Sequence, residues 1–128
     1  MQSNIIKNIL VSTVLFLAID SVYLTLSKTL FNSLVKSIQG NEIKLNLDGA
    51  IFAYLCIVLI FNYFIIQKNG GLMDAFLLGL LTYGIFEGTN RAIFSKWSVK
   101  AMIIDTVWGG ILFASVLYFF RIVIKKIP

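Results

Sequence analysis

Histidine is absent from this sequence, and cysteine and proline each occur once. Without histidine the chain lacks a common ligand of zinc and the usual general base of serine and cysteine hydrolases. With a single cysteine, Cys56, no disulfide can form within the chain. Because this residue lies in an apolar run, we expect it to behave as a small buried hydrophobic side chain. The single proline is Pro128, so no helix is expected to carry a proline kink.

Charged residues are also scarce. They make up 13% of the 128 residues, whereas 59% are hydrophobic, and the mean hydropathy is +0.90. Soluble domains carry roughly one quarter charged residues, so this chain cannot cover a globular surface with polar groups, and lipid is its expected solvent. The net charge of +5 comes from lysine and arginine near the ends of apolar runs, where anionic headgroups attract them. No basic stripe with interleaved aromatic residues is present, so no nucleic-acid partner is predicted.

Four apolar runs approach the roughly 20 residues that a helix needs to cross about 30 Å of hydrocarbon. They cover about residues 6–27, 48–67, 72–94 and 101–124. We therefore predict an all-α, four-helix transmembrane bundle that forms a single multi-pass membrane domain over the whole chain. Short joints at 68–71 and 95–100 connect the second helix to the third and the third to the fourth.

The long connection between the first and second helices has a helical pattern of its own. Its apolar residues recur at intervals of three and four, and they are Leu30, Phe31, Leu34, Val35 and Ile38. This pattern predicts either an additional amphipathic helix in the membrane interface, between helices 1 and 2, or a continuation of the first helix beyond the bilayer. Gly40 is expected to end this segment, because glycine tolerates the left-handed conformation at a helix C-terminus.

Three acidic residues lie more than one helical turn inside the ends of the predicted spans: Asp20, Glu87 and Asp105. Such residues are rare, because burying a charge in a bilayer costs a few kcal/mol even on lenient insertion scales. At about 1.5 Å of rise per residue, the first two lie about 10 Å inside the ends of their helices and the third about 6 Å. Alternating topology puts these three ends on one side of the membrane. We therefore expect the three carboxyls to share a pocket, within about 12 Å of one another, on the side of the 95–100 joint.

Other polar residues follow the same helix faces at spacings of three and four. The predicted intramembrane polar site therefore consists of Asp20, Glu87, Asp105, Asn90, Arg91, Tyr83 and Trp108. Arg91 lies one turn beyond Glu87, so we expect these two side chains to pair. Asn90 and Tyr83 are placed to donate hydrogen bonds to whichever carboxyl stays ionised.

A structural interpretation of the polar residues stays open. Polar side chains in a membrane bundle can simply hold helices together, each contributing about 0.6 to 2 kcal/mol. Asn62, in the opposite half of the second helix, is interpreted in this way, and Trp97 is interpreted as an interfacial anchor. Gly84 and Gly88 form a pair of small residues that would let two helices approach closely.

Several short motifs occur along the chain. They are Ala18-Ile19-Asp20 in the first helix, Ala50-x-x-x-Tyr54 in the second, Gly79-x-x-x-Tyr83 and Thr89-Asn90 in the third, Trp97 after it, and Asp105-x-x-Trp108-Gly109 opening the fourth. In these motifs the chain resembles a family of small predicted membrane proteins known only as a domain of unknown function. The resemblance implies a four-helix integral membrane protein and supplies no activity. The family more often has Asp where Glu87 stands and an apolar residue where Arg91 stands.

Three functional hypotheses follow. The leading one is a non-enzymatic bundle with a polar intramembrane site, either a small transporter or channel or an ion- or proton-binding protein, with a small ion or small molecule of unknown identity as its ligand. The second is a structural or assembly protein whose polar groups only join helices. The third, a lipid-active enzyme using the carboxyls as acid and base, ranks last because no nucleophile–base pair is apparent. We predict no catalytic residues, cofactor or metal centre. Association into a homo-oligomer is a further hypothesis, since four short helices enclose little volume.

Overall fold

The computed structural model describes residues 4–128 and contains four long helices, with no strand in that range. They are α1 (Ile5–Gln39), α2 (Leu47–Phe61), α3 (Leu72–Ile93) and α4 (Val99–Ile124), and a π-helical turn, Asn62–Ile66, extends α2. Each helix, with α2 counted together with its π-helical turn, is long and apolar enough to cross a membrane. The predicted all-α architecture with four spans is therefore confirmed.

Helix α1 is much longer than a bilayer span. Its 35 residues extend over about 50 Å, whereas the hydrocarbon core is about 30 Å thick. Residues 28–39 form no separate interfacial helix; they continue α1, which was the second of the two alternatives. Leu34 packs against Trp97 and Ala101, so the apolar stripe of this extension faces the bundle. Gly40 ends the helix in the left-handed conformation, as predicted, with a φ of +83°.

Helices α3 and α4 pack through glycine residues. A Cβ atom at Gly79 would overlap the carbonyl oxygen of Gly109, and a Cβ atom at Gly109 would overlap the side chain of Tyr83. The two backbones can approach this closely only because neither glycine has a side chain. The predicted pair of small residues, Gly84 and Gly88, makes no such contact. A Cβ atom at Gly84 would have Thr106 Cγ2 as its neighbour at 3.4 Å, and a Cβ atom at Gly88 would have no neighbour within 4 Å.

The apolar core lies mainly between α1, α2 and α4 and also includes Ala75 of α3, in the half of the bundle that contains the start of α1. Phe16 is fully buried there, with its ring in edge contact with Phe61 and Phe113 at centroid distances of 5.1 Å each. Edge-to-face aromatic pairs of this kind add about 0.5 to 1.5 kcal/mol to the effect of area burial. This cluster fixes how the first, second and fourth helices meet.

Two sequence-based interpretations of the second helix had opposite outcomes. The buried Asn62 donates hydrogen bonds to Ser12 Oγ at 2.9 Å and to the Val58 carbonyl at 2.8 Å, so it does link α2 to α1. The prediction of a buried Cys56 is wrong, because its thiol is exposed. Within α2 the buried face is narrow and consists of Val58 and Phe61, and Cys56 lies outside that face.

Both ends of the described chain lie at the same end of the bundle. Lys7 Nζ donates to the carbonyl oxygens of Ile127 and Pro128, at 3.3 and 3.2 Å. At the same end, Arg121 donates to the carbonyl oxygen of Gly70, in the turn between α2 and α3, at 2.8 Å. The extension of α1 and the α3–α4 joint therefore lie at the opposite end.

Candidate functional site

Asp20 is a buried carboxyl whose two oxygens both accept hydrogen bonds. The Tyr54 hydroxyl donates to Oδ2, and Trp108 Nε1 donates to Oδ1 at 2.8 Å. These bonds connect α1, which carries Asp20, to both α2 and α4. A carboxyl with a donor for each oxygen is well satisfied even at membrane depth.

Asp105 is connected to the same network through stacked aromatic rings. The Tyr23 hydroxyl donates to Asp105 Oδ1 at 2.9 Å. The Tyr23 ring lies flat against Trp108, with a centroid distance of 4.6 Å and an interplanar angle of 7°. Because Trp108 also donates to Asp20, the stacked pair joins the carboxyl of α1 to the carboxyl of α4.

Glu87 is the acidic side chain whose hydrogen bonding is incomplete. It is fully buried, and Trp97 Nε1 donates to its Oε1 at 2.7 Å. Its Oε2 has no hydrogen-bond partner among residues 4–128. A buried polar atom without a partner costs about 1 to 3 kcal/mol, and more when it belongs to a charged group. Such an atom in a folded protein requires an explanation.

A cavity of about 530 Å³ adjoins this glutamate. Glu87, Asp105 and Tyr23 all line it, and so does Trp97. Asp20 does not line it but is connected to it through Trp108 and Tyr23. The rest of the wall is largely apolar and includes Leu24, Phe31, Val35, Ile43 and Phe86. The structure thus places two of the three carboxyls on one cavity and the third in the supporting network.

The predicted pairing of Arg91 with Glu87 is wrong. The Arg91 guanidinium donates instead to the carbonyl oxygens of Ser95 and Trp97, at 3.2 and 2.6 Å. Arg91 lies in the last turn of α3, and both acceptors lie in the joint that follows the end of this helix. Arg91 therefore shapes the site indirectly, by holding the joint from which the Trp97 indole reaches Glu87.

The two other predicted donors do not contact the carboxyls. Among residues 4–128, the side-chain donors to these carboxyls are two tyrosines and two tryptophans, and neither Tyr83 nor Asn90 is one of them. Tyr83 packs on Gly109 in the α3–α4 contact. Asn90 contributes its backbone carbonyl, which accepts from the Phe94 amide at 2.7 Å.

Sequence reasoning missed Tyr54 and Trp97 as site residues. Tyr54 lies seven residues into α2, about 10 Å deep, which is the depth calculated for Asp20. That agreement, together with the tendency of buried tyrosine hydroxyls to find a partner, was a usable signal. Trp97 is buried rather than an interfacial anchor, and the interpretation failed because the joint folds inward. The spacing of residues along the chain does not show that the α3–α4 joint turns inward.

A comparison with protein families identifies the chain. The family described as "Predicted membrane protein (DUF2177)" matches residues 5–119. That range includes the first three helices, most of the fourth and every site residue described above. No curated protein and no solved structure matches the chain. The resemblance stated from the motifs is thereby confirmed, and this multi-pass membrane protein belongs to the DUF2177 family of predicted membrane proteins.

Proposed function

We propose that the protein binds a proton or a small cation at Glu87, as a small transporter or an ion-binding membrane protein would. The observation that carries this proposal is Glu87 Oε2, which is buried and has no donor among residues 4–128. A carboxylate oxygen in that position is strongly destabilising unless a proton or a positive charge meets it. The adjoining cavity provides the space from which either could arrive.

Asp105 strengthens the attraction for positive charge. Its carboxyl and that of Glu87 line the same cavity. Two negative charges in a medium of low dielectric repel each other strongly. One proton or cation between them removes that repulsion. It also meets the otherwise unpartnered Glu87 Oε2, so a single positive charge relieves both the repulsion and the missing hydrogen bond.

A structural role is favoured for Asp20. Each of its oxygens already accepts a hydrogen bond, from donors on two other helices, whereas Glu87 Oε2 accepts none within residues 4–128. We therefore divide the predicted site: Glu87 and Asp105 bind, and Asp20 holds α1 against α2 and α4. Transport is the activity that a reversible site at this depth would serve.

The test is an infrared titration of the purified protein in lipid. A protonated carboxyl has a carbonyl stretching band that an ionised carboxylate lacks. We expect such a band in the wild type, altered by pH or by an added cation, and its loss in Glu87→Gln. Asp74→Asn is the matched control, because Asp74 is exposed and lies in the first turn of α3, at the end of the bundle opposite the Glu87 cavity, and it should keep the band.

An unchanged band in Glu87→Gln would overturn the proposal, as would a wild-type spectrum without any band and without response to cations. If Glu87→Gln does not fold, Glu87→Asp is measured instead. A shorter acid keeps the ionisable group, so the proposal requires a band at a shifted position.

A further inference from the structure

We infer that the cavity beside Glu87 binds a small organic cation, an ammonium group attached to an apolar body. This inference rests on the proposed function and names the class of ligand. The cavity volume of about 530 Å³ falls within the roughly 300 to 1,000 Å³ typical of small-molecule sites. This volume is larger than a proton or a bare metal ion requires.

The chemistry of the wall matches the two parts of such a ligand. Glu87 and Asp105 provide negative charge, and Glu87 Oε2 in particular lacks a donor. An ammonium N–H would supply that donor in a charge-assisted hydrogen bond. Within residues 4–128, no three side chains of the usual metal-ligating types lie close enough together to hold a metal ion, so these acids fit a single ammonium better than a metal.

Aromatic rings line the same cavity as the carboxyls. Tyr23, Phe31, Phe86 and Trp97 all line the cavity. A ring face attracts a cation and contributes about 0.5 to 2 kcal/mol, depending on how far the cation is desolvated. The same rings, together with the aliphatic part of the wall, provide contacts for an apolar body.

The direction of the cavity distinguishes this ligand from a membrane phospholipid. Along α1 the lining residues run from Tyr23 to Val35, about 18 Å towards the end of the helix that projects beyond the bilayer. The carboxyls lie at the inner end of this path. A phospholipid keeps its charged end at the membrane surface and its tails inside, which is the reverse of this charge distribution. An organic cation that enters with its ammonium group first places its positive charge beside the carboxyls of Glu87 and Asp105.

Lys28 also lines the cavity, about 8 Å further out along α1 than Tyr23. Its long side chain can extend to the membrane surface and keep its charge in water. The inner end of the cavity therefore stays available to a second cation.

The experiment is calorimetric titration of the detergent-purified full chain with two probes of nearly equal size, 2-phenylethylammonium and the neutral 2-phenylethanol. We expect saturable binding of the ammonium probe, with binding of the alcohol at least about tenfold weaker, a factor that corresponds to about 1.4 kcal/mol. Glu87→Gln should weaken binding of the ammonium probe by a similar factor, and Asp74→Asn should leave that binding unchanged. Phe31→Leu keeps an apolar wall but removes a ring, and it should weaken binding of the ammonium probe about threefold, within the range of a cation–π contact.

Three results would overturn the inference: no saturable binding of the ammonium probe, equal binding of both probes, or equal binding to wild type and Glu87→Gln. If Glu87→Gln does not fold, Glu87→Asp should retain preference for the ammonium over the alcohol. The infrared band tests the proposed function separately. A titrating Glu87 band without ammonium binding would leave the proposed function standing and remove only the organic cation, whereas loss of both would remove the two together.

Discussion

Among single residues, the number of donors available to each carboxyl separates two kinds of role. Asp20 receives a hydrogen bond on each oxygen, from Tyr54 and from Trp108. Glu87 receives one on Oε1 from Trp97 and none on Oε2 within residues 4–128. The donors to all three carboxyls belong to aromatic side chains, so the two roles differ in the number of donors and not in their type.

Tyr54→Phe tests the structural role of Asp20. The change removes the donor to Oδ2 and leaves a buried acceptor unsatisfied, which should cost about 1 to 3 kcal/mol. Unfolding by a denaturing detergent, followed by circular dichroism, should therefore occur at a lower concentration than in the wild type. Tyr63→Phe removes a hydroxyl from an exposed ring and serves as the control. Equal stability of the two variants would contradict a structural Asp20.

Part of the site could be predicted from the sequence at the level of single residues. The depth of Asp20, Glu87 and Asp105 follows from counting residues, because a helix converts position into distance at a constant rate. The partners of these groups do not follow from counting. Arg91 had the correct spacing to reach Glu87, but carbonyl groups in the joint that follows its helix accept hydrogen bonds from the same guanidinium.

Among the helices, the contact between α3 and α4 depends on the absence of side chains at two positions. The Gly79 and Gly109 backbones approach so closely that a Cβ atom at either would overlap the other helix. In lipid, helix association relies on packing rather than on the hydrophobic effect, so close backbone approach is a principal source of stability. The two helices carry Glu87 and Asp105, so their packing also sets the separation of these two carboxyls.

Gly79→Ala should therefore destabilise the protein. A methyl group forced into a packed contact typically costs about 1 to 3 kcal/mol. Gly88→Ala is the matched control on the same helix, because a Cβ atom there meets nothing within 4 Å. It should be neutral or stabilising, since alanine is favoured over glycine in helices by up to about 1 kcal/mol. Detergent unfolding midpoints that move in the same direction for both variants would refute this account of the α3–α4 contact.

Helical periodicity was sufficient to predict that residues 28–39 are helical. Periodicity could not distinguish a separate helix from a continuation of α1, because both arrangements give the same apolar stripe. Nor does any local pattern show the π-helical turn that follows α2. That turn contains Asn62, which donates a hydrogen bond to Ser12 of α1. The local sequence around Asn62 does not show this contact, because its partner lies on another helix.

For the whole molecule, the four spans return the chain to the end at which it starts. The contact of Lys7 with Ile127 and Pro128 brings the two ends of the described chain together. The α2–α3 turn lies on that side, and the α3–α4 joint lies on the other.

Cysteine labelling in intact membranes tests this arrangement. In a Cys56→Ser background, Lys68→Cys and Lys96→Cys should react with a membrane-impermeant maleimide from opposite sides. A cysteine at Lys125→Cys should react from the same side as Lys68→Cys. Labelling of the first two from one side would refute the four-span topology.

Hydropathy was enough to predict the four spans, because a helix that crosses a bilayer needs about 20 mostly apolar residues. The cavity was beyond such reasoning. Its wall combines the α1 extension, the segment before α2, and the inward-folded α3–α4 joint, and each of these depends on how separate parts of the chain meet in space.

The indole contacts described above have a spectroscopic consequence. The protein has two tryptophans; Trp97 donates to Glu87, and Trp108 donates to Asp20 while it stacks on Tyr23. All of its indole emission therefore originates at the acidic groups, and none from elsewhere in the bundle. Because emission responds to nearby charge and hydrogen bonding, the unlabelled protein contains its own optical reporter of events at these carboxyls.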